Sequence, residues 1–110
     1  MSNHILKKMN TFGEEIRYHR ERLDMTLKEL STLLKIDFSL LAKIERNERN
    51  PTRRQIAELA NHLGIDEIKL LMVYLSDSIA DVVYKENADF HVLKIAEKKL
   101  KYLKDYGTKQ

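Results

Sequence analysis

At 110 residues the chain suits one compact domain, or one small domain with an appended element, because domains mostly span about 50–200 residues. A hydrophobic fraction of 43% with 34% charged residues fits a protein that folds in water, and no stretch approaches the roughly 18 apolar residues of a membrane span or the apolar core of a secretory signal, so a cytoplasmic location is expected; the lack of cysteine excludes disulfides and removes the usual structural zinc ligands. The net charge of +3 is unevenly placed: residues 1–64 hold 12 Lys+Arg against 9 Asp+Glu, and residues 65–110 hold 8 of each, which fits either a nucleic-acid face in the N-terminal half or an ordinary solvated surface.

With three glycines and one proline, the chain has little to interrupt helices, and its runs of Leu, Lys, Glu, Ile and Ala favour an all-α fold. Residues 1–10 carry no clear period and are read as a flexible N-terminal arm. Thereafter Thr11 with Glu14, Thr26 with Glu29 and Thr52 with Gln55 each form a capping box, in which two side chains reciprocally satisfy helix-terminal amides. Asp37 and Asp66 are further N-cap candidates, flanked by the staple pairs Ile36/Leu41 and Ile65/Leu70. The spacing predicts helices over 12–23, 27–34, 38–46, 53–63 and 67–75. Their core would draw on Phe12, Ile16, Leu23, Leu27, Leu30, Leu34, Leu41, Ile44, Ile56, Leu59, Ala60, Leu63, Ile68, Leu71 and Met72.

After Ser76, the stretch SDSIADVVYKE has helical spacing, although its Val and Ile content also suits a strand. Asn87 or Asp89 opens a last helix to about Tyr106. On it Leu93, Ala96, Leu100 and Leu103 follow 3-4-3 spacing, with Val92, Ile95, Tyr102 and Tyr106 alongside. That apolar band is wider than one seam and calls for cover on two sides, one of which a second copy would supply. The expected organisation is therefore the arm 1–10, a helical domain 11–66 and a helical extension 67–110.

The segment MTLKELSTLLKIDFSLLAKIERNERNP, from Met25 to Pro51, places a helix, a short turn at Lys35 and Ile36, a second helix and then a polar, basic turn. A helix-turn-helix requires this order, because the first helix must brace a second whose N-terminal half enters the DNA major groove. The segment closely resembles the Cro/cI-type (XRE) family of phage repressors and bacterial regulators, over about residues 11–66. The resemblance is carried by Ile16, Arg17 and Arg20, by Thr26, Glu29 and Leu30, and by KIERNERNP from Lys43 to Pro51, where the family commonly has KIERGERNP. It implies a five-helix lambda-repressor-like DNA-binding domain with a C-terminal helical extension.

The resemblance also implies roles. Arg20 would pair with Glu45 at the end of the recognition helix as a structural, shielded ion pair, the alternative being a solvated surface pair. Base reading would fall to Phe38, Ser39 and Lys43, with Ala42 nearby. Lys43 can donate to guanine O6 and N7 or to a phosphate, while Phe38 either meets a thymine methyl or packs on its own turn. Phosphate contacts would come from Arg17, Arg46, Arg49, Asn50, Thr52 and Arg53, with Arg54 and the amides opening the fourth helix as further candidates. Three positions where the family favours glycine hold Asp24, Lys35 and Asn47, and a lysine would be mildly strained in the usual left-handed turn. Leu27 stands where the family often holds a phosphate with glutamine, and Asp37 brings negative charge close to DNA.

The function so implied is that of a sequence-specific regulator of transcription, a repressor or autoregulator on a palindromic operator. It would bind double-stranded DNA as a homodimer joined through Phe90, Leu93, Ala96, Leu100 and Leu103, with no membrane partner. An antitoxin-like module whose C-terminal helix holds a partner protein, and a controller protein of a restriction-modification locus, are the alternatives. His4, His19, His62 and His91 are scattered without metal-ligand spacing, and no nucleophile motif or phosphate-binding loop occurs. Neither catalysis, a metal nor a cofactor is expected.

Overall fold

The computed structural model of the chain describes residues 10–107. Of the expected arm 1–10, all but Asn10 therefore lies outside the described residues, as does His4. The described residues form six α-helices and no strand: α1 (Phe12–Arg22), α2 (Leu27–Leu34), α3 (Phe38–Glu45), α4 (Arg53–Leu63), α5 (Glu67–Lys85) and α6 (His91–Asp105). They divide into two compact units, one running to Asp77 and one from Ser78 onward. The first extends beyond residue 66, because the first half of α5 packs with the helices before it.

Local chemistry accounts for the helix starts. All three capping boxes form, at Thr11, Thr26 and Thr52. Asp66 accepts from the Ile68 amide at 2.9 Å. Asp37 occupies the N-cap position of α3, yet its side chain makes no cap hydrogen bond, so it contributes charge near the helix dipole rather than a bonded cap. Asp24, Lys35 and Asn47 all adopt left-handed backbone, with φ of 53°, 58° and 62°. The glycine-type turns are thus kept without glycine, and Lys35, with no side-chain device suited to that region, carries the strain.

The core of the first unit gathers Phe12 and Ile16 from α1, Leu30 and Leu34 from α2, Leu41 and Ile44 from α3, four residues of α4, and Leu70 from α5. The staple residues Ile36 and Ile65, with Leu27 and Leu71, are partly buried against this cluster. Leu23, Ile68 and Met72, which periodicity assigns to the core, are exposed. On α5 the buried row starts from Leu70, 1% exposed, and continues to the partly buried Val73, Tyr74 and Asp77, which leaves Ile68, 69% exposed, on the other side of the helix.

α5 is also one helix of 19 residues rather than two joined near Ser76. The Ser76 hydroxyl donates to the Val73 carbonyl at 2.9 Å, bonding back into its own helix instead of capping a new one. In the second unit, Asp89 accepts from the His91 amide at 2.7 Å and so opens α6. No residue of α6 is buried.

Candidate nucleic-acid interface

α3 has only eight residues, too short to be stable alone; its position is set by what it packs against. Leu41, Ala42, Ile44 and Glu45 face inward, whereas Phe38, Ser39 and Lys43 face outward. Phe38 is 52% exposed, leaving its ring edge available to an apolar base edge. Ala42 is a correction to the base-reading set: at 9% exposure its methyl belongs to the packed face. Lys43 forms no ion pair among the described residues, although its charge helps to lower the Glu48 pKa, and its exposed ammonium can donate outward from the same face.

The Arg20 guanidinium holds Glu45 through two parallel bonds, Nε to Oε2 at 2.7 Å and Nη2 to Oε1 at 3.0 Å, and its Nη1 donates to the Met25 carbonyl at 2.8 Å. Their side chains retain only 10% and 6% exposure. Hydrogen bonding to Glu45 raises the Arg20 pKa above its ordinary value, against the opposing effect of burial. Because every polar atom of the pair has a partner, the charges are compensated within the unit; removing one would leave the other stranded.

The basic side chains that follow fall into two groups. Arg46 is held by Glu48 through Nε at 3.0 Å and Nη2 at 3.2 Å, which raises the Arg46 pKa and lowers that of Glu48. Arg17 is likewise paired with Glu21, and Arg54 with Glu58. Arg49 and Arg53 are exposed and make no ion pair among the described residues, and Asn50 is exposed beside them. The Thr52 amide is taken by Gln55 and its hydroxyl accepts from the Gln55 amide, and Thr52, Arg53 and Arg54 are all exposed. Leu27 packs toward the core, so that position contributes no polar contact. Of the remaining candidates, Phe90, Leu93, Ala96, Leu100 and Leu103 are all exposed in the second unit.

Two residues that sequence reasoning passed over, Gly13 and Asp77, also shape the site, together with Asn47, which it read only as a turn residue. Gly13 donates its amide to Asn47 Oδ1 at 3.0 Å, and Asn47 Nδ2 donates to the Thr11 hydroxyl at 2.9 Å. A Cβ at Gly13 would collide with the Glu45 carbonyl. Asp77 accepts from the Phe12 amide at 2.7 Å across 65 residues of sequence. Glycine at the second position of a helix, a placement worth about 1 kcal/mol less than alanine in a helix interior, was the available signal for the close approach; nothing local marked Asp77.

A helix-turn-helix family model matches residues 16–70. Two solved structures share the fold. The clp gene regulator ClgR from Corynebacterium glutamicum has a TM-score of 0.53 at 20% identity, covering 90% of this chain and 92% of its own. A chain of a SinR protein/SinI protein complex has a TM-score of 0.53 at 19% identity, covering 86% of this chain and 99% of its own. No curated protein sequence matches. With half of its residues under the family model, and with the outward-facing α3 braced by α1 and α2, the chain belongs to the Cro/cI-type (XRE) helix-turn-helix family.

Proposed function

We propose that the chain is a sequence-specific, cytoplasmic regulator of transcription that binds double-stranded DNA, as a repressor or autoregulator, through α3. The observation that carries this reading is the sidedness of α3. Its inner face is packed and ion-paired, while Phe38, Ser39 and Lys43 stand exposed, and the exposed cations Arg49 and Arg53, unpaired among the described residues, follow α3 in the chain. Lys43 would read guanine, with Ser39 and Phe38 on neighbouring bases. Arg49, Asn50, Arg53, the Thr52 hydroxyl and the amides opening α4 would hold phosphates. Arg46 and Arg17 join them only by exchanging a carboxylate for a phosphate.

One such module covers too few base pairs for tight binding, so a homodimer on half-sites about one helical turn apart is the natural assembly. The exposed apolar residues of α6, together with Phe90, supply a face for it. Selection of random duplexes by the purified protein should recover an inverted repeat. Affinity for it should fall with salt by about 0.9 log units per neutralised phosphate per decade; a flat salt response would remove DNA binding from the reading.

A second reading keeps the same DNA-binding half and assigns α6 to a different partner protein, as in an antitoxin. The same exposed apolar face favours it, and the SinR structure is one with a partner protein. Purified alone, the chain should be a stable dimer under the first reading and a poorly soluble monomer under the second.

A further inference from the structure

The N-terminus of α1 is where α3 and α5 are tied together. A helix leaves its first amides without internal partners, and here three successive ones are each satisfied from a different place. Phe12 donates to Asp77 of α5 at 2.7 Å, Gly13 to Asn47 just beyond α3 at 3.0 Å, and Glu14 to its own cap Thr11. Asn47 also donates to the Thr11 hydroxyl, so the cap is itself held by the turn that ends α3. The missing Cβ of Gly13 lets the Glu45 carbonyl approach, and Arg20 grips the carboxylate of the same Glu45. On the α5 side, Tyr74 meets Phe12 edge-on, with ring centroids 5.5 Å apart.

We propose that Asp77 and Asn47 are positioning residues for DNA reading: by bonding adjacent amides of α1 they lock α3 to α5, so that the setting of α5 fixes the angle at which α3 is presented. Asp77 is the last residue of the first unit, on the helix α5 that continues to Lys85 and precedes Phe90 and the α6 residues assigned to dimer formation. A dimer built on that segment reads one half-site spacing only if the lock holds. This rests on the dimer reading above. Neither residue needs to touch DNA. Asn47 therefore does more than tolerate a left-handed turn, since glycine would keep the turn and lose both side-chain bonds.

The test is a selection from random DNA duplexes run in parallel on the full chain and on Asp77→Ala, Asn47→Gly and Asp77→Asn, with dimerisation and thermal melting measured on each. The wild type should recover one half-site spacing. Asp77→Ala and Asn47→Gly should recover the same half-site sequence at three or more spacings; Asp77→Ala should bind the wild-type spacing roughly three- to tenfold more weakly, the value of one hydrogen bond, and Asn47→Gly, which loses two, at least as weakly. Asp77→Asn, which keeps an acceptor for the Phe12 amide, should restore the single spacing. If folded, dimeric Asp77→Ala and Asn47→Gly keep a single spacing and only melt earlier, the two residues are structural and the proposal is overturned. Should Asp77→Ala fail to fold, Asn47→Gly alone decides. Unpaired half-sites from the wild type would instead overturn the dimer reading and the proposal with it, and recovery of no DNA would overturn the function itself.

Discussion

The two units use their apolar residues in different ways. In the first, Ile16, Leu30, Leu41, Ile44, Ile56, Leu59 and Leu70 are almost wholly buried, and all but Leu70 lie on helices too short to hold themselves. In the second, Tyr84, Val92, Leu93, Ile95, Leu100, Tyr102 and Leu103 stand exposed, and Phe90, at the start of α6, is 83% exposed. The first unit consumes its hydrophobic surface internally, and burial at about 25 cal/mol per Å² is what makes it fold. The second keeps its hydrophobic surface on the outside, where it favours association. If the second unit is the assembly face proposed above, substitutions there should affect association without folding, and those in the first unit the reverse.

The largest effect is expected in the first unit. Arg20→Ala leaves Glu45 uncompensated beneath α3 and should cost about 3–5 kcal/mol of stability; an unchanged melting temperature would place the pair among ordinary surface ion pairs. In the second unit, replacing both Leu93 and Leu100 by Asp should weaken dimer formation by roughly 30-fold or more, the loss of a central interface residue, while stability changes by less than about 0.5 kcal/mol. Sedimentation reads the first quantity and melting the second. A collapse of stability together with association would mean that the units are not separable.

A smaller gain is expected at Lys35. Left-handed backbone costs a non-glycine residue about 1–2 kcal/mol, partly offset by the greater unfolded-state freedom of glycine, so Lys35→Gly should stabilise the first unit by about 0.5–1 kcal/mol in urea titration. No gain would mean that the side chain compensates for its backbone. The smallest effect concerns Arg46. Glu48→Gln should release it and raise DNA affinity about two- to threefold, with a steeper salt dependence. Acid should act in the same direction: Arg46 lowers the Glu48 pKa, so the pair persists above the ordinary carboxylate range and is lost as pH falls through the lowered value. A weaker complex for Glu48→Gln would assign Glu48 a supporting role in the bound turn.

Much of the first unit was legible because its signals are local. A capping box spans four residues and a staple six, so Thr11, Thr26, Thr52, Ile36 and Ile65 announce the helices without knowledge of the tertiary fold. The outward set Phe38, Ser39 and Lys43 follows from helical period once α3 is placed. Ala42 did not follow, because it lies at the margin of the packed face, where a turn of a few tens of degrees decides burial. Nor did the register of α5: the row through Ile68, Leu71, Met72 and Leu75 is more apolar than the one through Leu70 and Asp77, and only the helices beneath them select the second.

By itself, then, the sequence determined where helices begin, which segment forms the helix-turn-helix and which side chains α3 turns outward, since each depends on interactions within a few residues. Only the tertiary structure decided that α5 buries the row through Leu70, that Ala42 belongs to the packed face, and that Asp77 and Asn47 converge on the first turn of α1. Those outcomes depend on what lies nearest in space. For the Phe12 amide that is an acceptor 65 residues away, and the local pattern carries no record of it.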